Sequence, residues 1–159
     1  MEQQNLTVKD IMTREAVTVS PEASLLEAAK ILGDHGFDGL PVVGEGNKLV
    51  GILTEYDLIS KSSALHLPTF QVVLQNLQVL HEDRSQFQKE IEEISALKVK
   101  DVMNNDPLTL PETATYEDAV IAFRDHHRVN PIPVIDADKT VIGVVSRFDI
   151  LKPLRVMKE

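Results

Sequence analysis

LPVVGEGNKLVGILTEYDLI (residues 40–59) and IPVIDADKTVIGVVSRFDIL (132–151) are one pattern written twice. At a constant offset of 92, Pro41 lies over Pro133, Gly51 over Gly143 and Asp57 over Asp149. On the N-terminal side, AVTVSPEASLLEAA (16–29) returns as PLTLPETATYEDAV (107–120), and LTVKDIM (6–12) as LKVKDVM (97–103), both at an offset of 91, so one residue separates the two registers. Self-similarity over some fifty residues per copy identifies a duplication, and the fold must be read as two equivalent units.

Each copy reads as strand, helix, strand, strand, helix. Leu25, Ala28, Ala29 and Leu32 in the first copy, and Tyr116, Ala119, Val120 and Phe123 in the second, repeat at the spacing of one helical face. Ser24 with Glu27 and Thr115 with Asp118 form capping boxes that start these two helices. The apolar runs 40–43 with 49–53, and 132–135 with 141–145, flank turn-rich residues and predict a hairpin in each copy. A three-stranded sheet of this size would leave one face exposed, which predicts that the copies pack sheet against sheet. The division is 6–59, 60–96 and 97–152. In the middle stretch Pro68 suits a first helical turn; Phe70, Val73, Leu74, Leu77 and Leu80, then Phe87, Ile91, Ile94 and Leu97, predict an amphipathic helical hairpin that covers apolar surface or gates a cleft.

Composition removes several function classes. The 159 residues include no cysteine, so disulfides, thiolate nucleophiles and cysteine-bound metals are out. A formal charge of −9 opposes broad binding to nucleic-acid backbones. No apolar run is long enough to cross a membrane and no charged-then-apolar leader opens the sequence, which predicts a cytoplasmic location. His66, His81, His126 and His127 lack the spacing of a metal site. The candidate catalytic groups are two carboxylates in equivalent copies of one helix start, which duplication explains better than catalysis.

The paired pattern V-K-D-h-M, h-T-h, capped helix, h-P-V and G-h-h-[ST]-x-x-D, with h apolar, resembles the CBS (cystathionine beta-synthase) domain family over residues 6–59 and 97–152. The chain is also similar to bacterial two-CBS proteins whose copies are separated by a helical insert with a stretch like His66-Leu67-Pro68-Thr69-Phe70. The resemblance implies an α/β (α+β) fold of two β-α-β-β-α motifs packed as a pseudo-twofold pair, two such pairs forming a disc-like homodimer. It implies a regulatory module, not an enzyme, that binds AMP, ADP, ATP or S-adenosylmethionine between the motifs and signals to a partner protein. The alternative is a ligand-free dimerisation or interaction module.

The segments Thr54-Glu55-Tyr56-Asp57 and Ser146-Arg147-Phe148-Asp149 each follow an apolar strand and begin a helix, where N–H groups suit phosphate. A carboxylate one turn on can accept from both ribose hydroxyls, and by resemblance Asp57 and Asp149 are the ribose ligands. Each motif is equally a capping box that satisfies its own helix start. Val17, Thr18 and Val19 with Pro41 and Val42 are expected to line one adenine cleft, and Leu108, Thr109 and Leu110 with Pro133 and Val134 the other; all are equally ordinary core residues. Charge separates the copies: Glu55 aligns with Arg147, Asp38 with Asn130 and Phe37 with Arg128. Family members often place phosphate-contacting basic residues just before the h-P-V strand, which makes His127 and Arg128 candidates for that role or, equally, the solvated end of a helix; the expectation is that the Asp149 cleft takes the phosphorylated nucleotide and the Asp57 cleft is empty or holds an uncharged nucleoside.

Overall fold

A computed structural model describes residues 6–60 and 96–156 of the chain. The expected helical hairpin over 60–96 lies almost wholly outside the described residues. The first copy runs α1 (Val8–Ile11), α2 (Leu25–His35), β1 (Gly39–Val43), β2 (Leu49–Thr54) and α3 (Glu55–Ser60). The second runs α4 (Val99–Val102), β3 (Leu110–Pro111), α5 (Tyr116–Asp125), β4 (Ile132–Ile135), β5 (Val141–Val145), a 3-10 turn (Asp149–Leu151) and α6 (Lys152–Val156).

The two long helices start where the capping residues place them. Ser24 Oγ accepts from the Glu27 N–H at 3.1 Å, and Thr115 Oγ1 accepts from the Asp118 N–H at 3.1 Å. The Thr115 N–H donates back to Asp118 at 2.8 Å, completing the box; the Thr115 hydroxyl and then its N–H hold the Asp118 carboxyl below the usual carboxylate range. Gly36 ends α2 in the left-handed region, φ 64°, which glycine adopts without a Cβ penalty. Leu25, Ala28, Ala29 and Leu32 of α2 are buried, as are Ala119 and Phe123 of α5.

Both hairpins are antiparallel: Leu40 faces Leu53 and Val42 faces Gly51 in one, Ile132 faces Val145 and Val134 faces Gly143 in the other. Of the two expected three-stranded sheets, the second copy forms one, with β3 parallel on β4. In the first copy the corresponding strand is reduced to a single parallel bridge between Val19 and Val42, held by two hydrogen bonds of 3.1 and 2.9 Å.

The copies are joined by exchange. The core around α2, β1 and β2 is completed by Val99 and Val102 of α4, whereas Val8, Ile11 and Met12 from the start of the first copy complete the core around α5, β4 and β5. The same crossing repeats in the backbone. Val8 N–H donates to Ala114 C=O at 2.8 Å and Val99 N–H to Ala23 C=O at 3.0 Å; Thr13 and Val144 exchange bonds of 2.9 and 3.0 Å, as Asn104 and Ile52 do at 2.9 Å each. Glycine is required where these segments cross: a Cβ on Gly51 would sit 2.7 Å from the Asn104 carbonyl oxygen, and one on Gly143 2.7 Å from that of Thr13. Each copy therefore lacks a complete core without the other, which is the physical use of the duplication. Glu22 reinforces the crossing through Lys98 (2.6 Å) and Lys100 (2.7 Å), and those two ammonium donors lower its carboxyl to about 2.

Candidate ligand clefts between the copies

Because the opening segments cross, so do the clefts. A cavity of about 330 Å³ brings Asp149, Ser146, Phe148 and Val144 of the second copy against Thr13, Glu15, Ala16 and Val17 of the first, with Phe37, Gly39 and Pro41 alongside. A second, of about 200 Å³, brings Asp57, Thr54, Tyr56 and Ile52 against Asn104, Pro107 and Leu108, with Arg128 and Val129. The linings are equivalent under the repeat: Val17 matches Leu108, Tyr56 matches Phe148 and Thr13 matches Asn104. Each cleft thus takes its carboxylate from one copy and its apolar wall from the other, where the sequence had suggested both from one copy.

This crossing reverses the expected charge distribution. Arg128 lies in the Asp57 cleft, not with Asp149, and its place in the Asp149 cleft is taken by Phe37, stacked on His35 with ring centroids 4.9 Å apart. Among the described residues no Lys or Arg lines the Asp149 cleft, which carries Glu15 and Asp38. Alignment within one copy had placed Arg128 beside Asp149; the fold turns that segment toward the other copy. A third cavity, about 350 Å³, joins the two halves and is lined by Arg128, Arg147, His127, Glu55, Asp38 and Tyr56, among others. Here Arg128 donates to the Tyr56 hydroxyl at 2.5 Å and lies 4.9 Å from its ring centroid, a cation–π contact. Arg147 donates to the His127 carbonyl and lies 5.8 Å from the Phe123 ring. Asn130 donates to Asp38 at 2.5 Å and accepts from the Arg147 N–H at 3.1 Å.

The two carboxylates are buried and do cap their helix starts. Asp57 Oδ2 accepts from Thr54 N–H (3.0 Å) and Oγ1 (2.8 Å), and Asp149 Oδ2 accepts from Ser146 N–H (2.7 Å) and Oγ (3.0 Å). Capping uses one oxygen of each, so the structural role leaves the other for a ligand. They differ there: Asp149 Oδ1 is paired with Lys152 Nζ at 2.7 Å, while no described residue donates to Asp57 Oδ1.

Of the remaining sequence candidates, Pro41 lines the Asp149 cleft, and Thr54 both the Asp57 cleft and the joining cavity. Thr18, Val19, Val42, Thr109, Leu110, Pro133 and Val134 line none of the three cavities; Val19, Val42, Leu110 and Val134 are buried in the cores. Tyr56, Phe148, Thr13 and Asn104 line clefts without having been singled out. Their equivalence at the repeat offset is the signal that marks them. Among the described residues no group of three or more His, Asp or Glu is placed to hold a metal, and no helix is long and apolar enough to cross a membrane.

A duplicated β-α-β-β-α unit with exchanged openings and paired clefts between the copies defines a tandem-motif pair. The CBS domain family profile matches residues 8–64 and 99–155, and the chain belongs to that family. It is 26% identical to CBSX2 of Arabidopsis thaliana solved in complex with AMP, covering 97% of this chain and 99% of that one with a TM-score of 0.71. The CBS domain pair of protein MJ0100, solved with 5′-methylthioadenosine and S-adenosyl-L-methionine, is 27% identical over 96% of this chain and 98% of its own, TM-score 0.66. Among curated sequences, inosine-5′-monophosphate dehydrogenase of Korarchaeum cryptofilum is 30% identical over 89% of the chain. The chain spans only 23% of that enzyme's length and 22% of the next relative's.

Proposed function

We propose that the chain is a regulatory module that senses an adenosine-type nucleotide (AMP, ADP, ATP or S-adenosylmethionine) between its two motifs, catalyses no reaction on it, and signals to a partner protein in the cytoplasm. The observation that carries this reading is the Asp57 cleft. It holds a buried carboxylate with one oxygen free of described donors, an apolar wall from Pro107 and Leu108 of the other copy, and Arg128 at its edge. The carboxylate suits ribose hydroxyls, the wall suits a base face, and a guanidinium suits phosphate. The AMP complex of CBSX2 supports the ligand class.

The assignment of Thr18, Val19, Val42, Thr109, Leu110, Pro133 and Val134 becomes one of support: they hold the strands whose edges frame the clefts. Ser146 and Arg147 serve the Asp149 cleft and the joining cavity. The phosphorylated ligand belongs in the Asp57 cleft, on the charge distribution above. The module acts as a homodimer through the exposed apolar stripe Phe148, Leu151 and Leu154, which are 73%, 45% and 57% exposed.

Isothermal titration with AMP, ADP, ATP and S-adenosylmethionine, repeated on Asp57→Asn and Asp149→Asn, tests the reading. Saturable binding abolished by Asp57→Asn supports it. No heat from any of the four ligands, with no thermal shift, overturns it in favour of a ligand-free interaction module.

A further inference from the structure

The two clefts are built from equivalent parts, yet among the described residues only one of the two carboxylates meets a competing cation. Lys152 stands one helical turn beyond Asp149, where its ammonium pairs with Asp149 Oδ1 at 2.7 Å and donates to the Ile11 carbonyl at 2.5 Å. At the repeat offset the position equivalent to Lys152 in the first copy is Ser60, which carries no charge. Asp149 is 5% exposed and both of its oxygens are engaged: Ser146 donates to Oδ2 and Lys152 to Oδ1.

The geometry points to Lys152 as the residue that sets the affinity of the Asp149 cleft, by occupying the carboxylate oxygen that a ribose-bearing ligand needs. This rests on the nucleotide-sensing reading above. With Glu15 and Asp38 in its lining and the neighbouring Lys152 already paired with Asp149, the ligand class for this cleft is an adenosine derivative without phosphate. Such a ligand must share or displace the Lys152 contact. Displacement also frees the Ile11 carbonyl, immediately ahead of Met12 and Thr13, where the opening segment enters the cleft wall. The Asp149 cleft is therefore the weaker site, and its strength is set by a residue that lies outside its lining.

The test uses adenosine as probe in an Asp57→Asn background, which removes the other cleft's carboxylate while keeping its shape. Lys152→Met in that background tightens adenosine binding by about tenfold, the worth of one hydrogen bond to a charged group. Lys152→Arg, which keeps the ion pair, leaves binding at the parent level. A merely structural Lys152 gives the opposite sign, because loss of the Ile11 contact loosens the cleft wall; unchanged or weaker adenosine binding in Lys152→Met overturns the inference. AMP titrated into the unsubstituted chain reads the underlying function separately. If AMP does not bind there while Lys152→Met still tightens adenosine, the phosphate assignment falls and the role of Lys152 stands.

Discussion

Replacing Gly51 by alanine adds one methyl group at the point where the second copy's opening segment crosses β2. That Cβ would lie 2.7 Å from the Asn104 carbonyl oxygen and 2.8 Å from Met103 Sδ, closer than real Cβ contacts come. The sulfur can swing away, but the carbonyl is held by the reciprocal 2.9 Å bonds between Asn104 and Ile52, so the segment must retreat or the bonds must lengthen. Overpacking of this kind costs about 1–3 kcal/mol, and for a chain of this size each kcal/mol lowers Tm by about 2–4 °C. Gly51→Ala therefore melts roughly 3–10 °C lower, and Gly143→Ala, with 2.7 Å to the Thr13 carbonyl, falls similarly. Gly33 is the internal control: it lies within α2 with nothing within 4 Å of its added Cβ. There alanine gains helix propensity and restricts the unfolded chain, so Gly33→Ala stabilises by about 0.5–1 kcal/mol. Thermal and urea unfolding of the three variants measure both signs. Gly51→Ala melting at or above the unsubstituted chain would refute the exchanged crossing as the reason for that glycine.

Glu22 has its carboxyl depressed from 4.5 to about 2 by Lys100 and Lys98, so its contribution is fully present above the unfolded value and is lost as pH falls through the folded one. The stability gap between Glu22→Gln and the unsubstituted chain is then constant above pH 4.5, shrinks from there toward pH 2, and narrows in high salt because the groups are exposed. A gap in urea midpoint that does not change between pH 6 and pH 3 contradicts this. If the chain pairs through the exposed apolar stripe as proposed, Leu154→Asp halves the mass found by sedimentation equilibrium; equal masses would overturn the stripe as a dimer contact.

The repeat, the helix starts at Ser24 and Thr115 and the two hairpins were legible because they rest on local periodicity and capping, which neighbours in sequence decide. The exchange of Val8 and Ile11 for Val99 and Val102 was not, since equivalent residues in a duplicated sequence fit either core equally well. The cation was misplaced for a similar reason: Arg128 sits four residues before Ile132 in sequence but beside Asp57 of the other copy in space. Likewise the capping geometry of Asp57 and Asp149 needed atomic positions, because only they separate the oxygen that caps from the one that does not.

The measurement that bears most directly on the account is a crystal structure of the protein with saturating AMP. The nucleotide is expected between Asp57 and Leu108, with both ribose hydroxyls on the Asp57 carboxylate and the phosphate within hydrogen-bond reach of Arg128. AMP seated against Asp149 with its phosphate away from Arg128, or a cleft that stays empty at saturation, would contradict it.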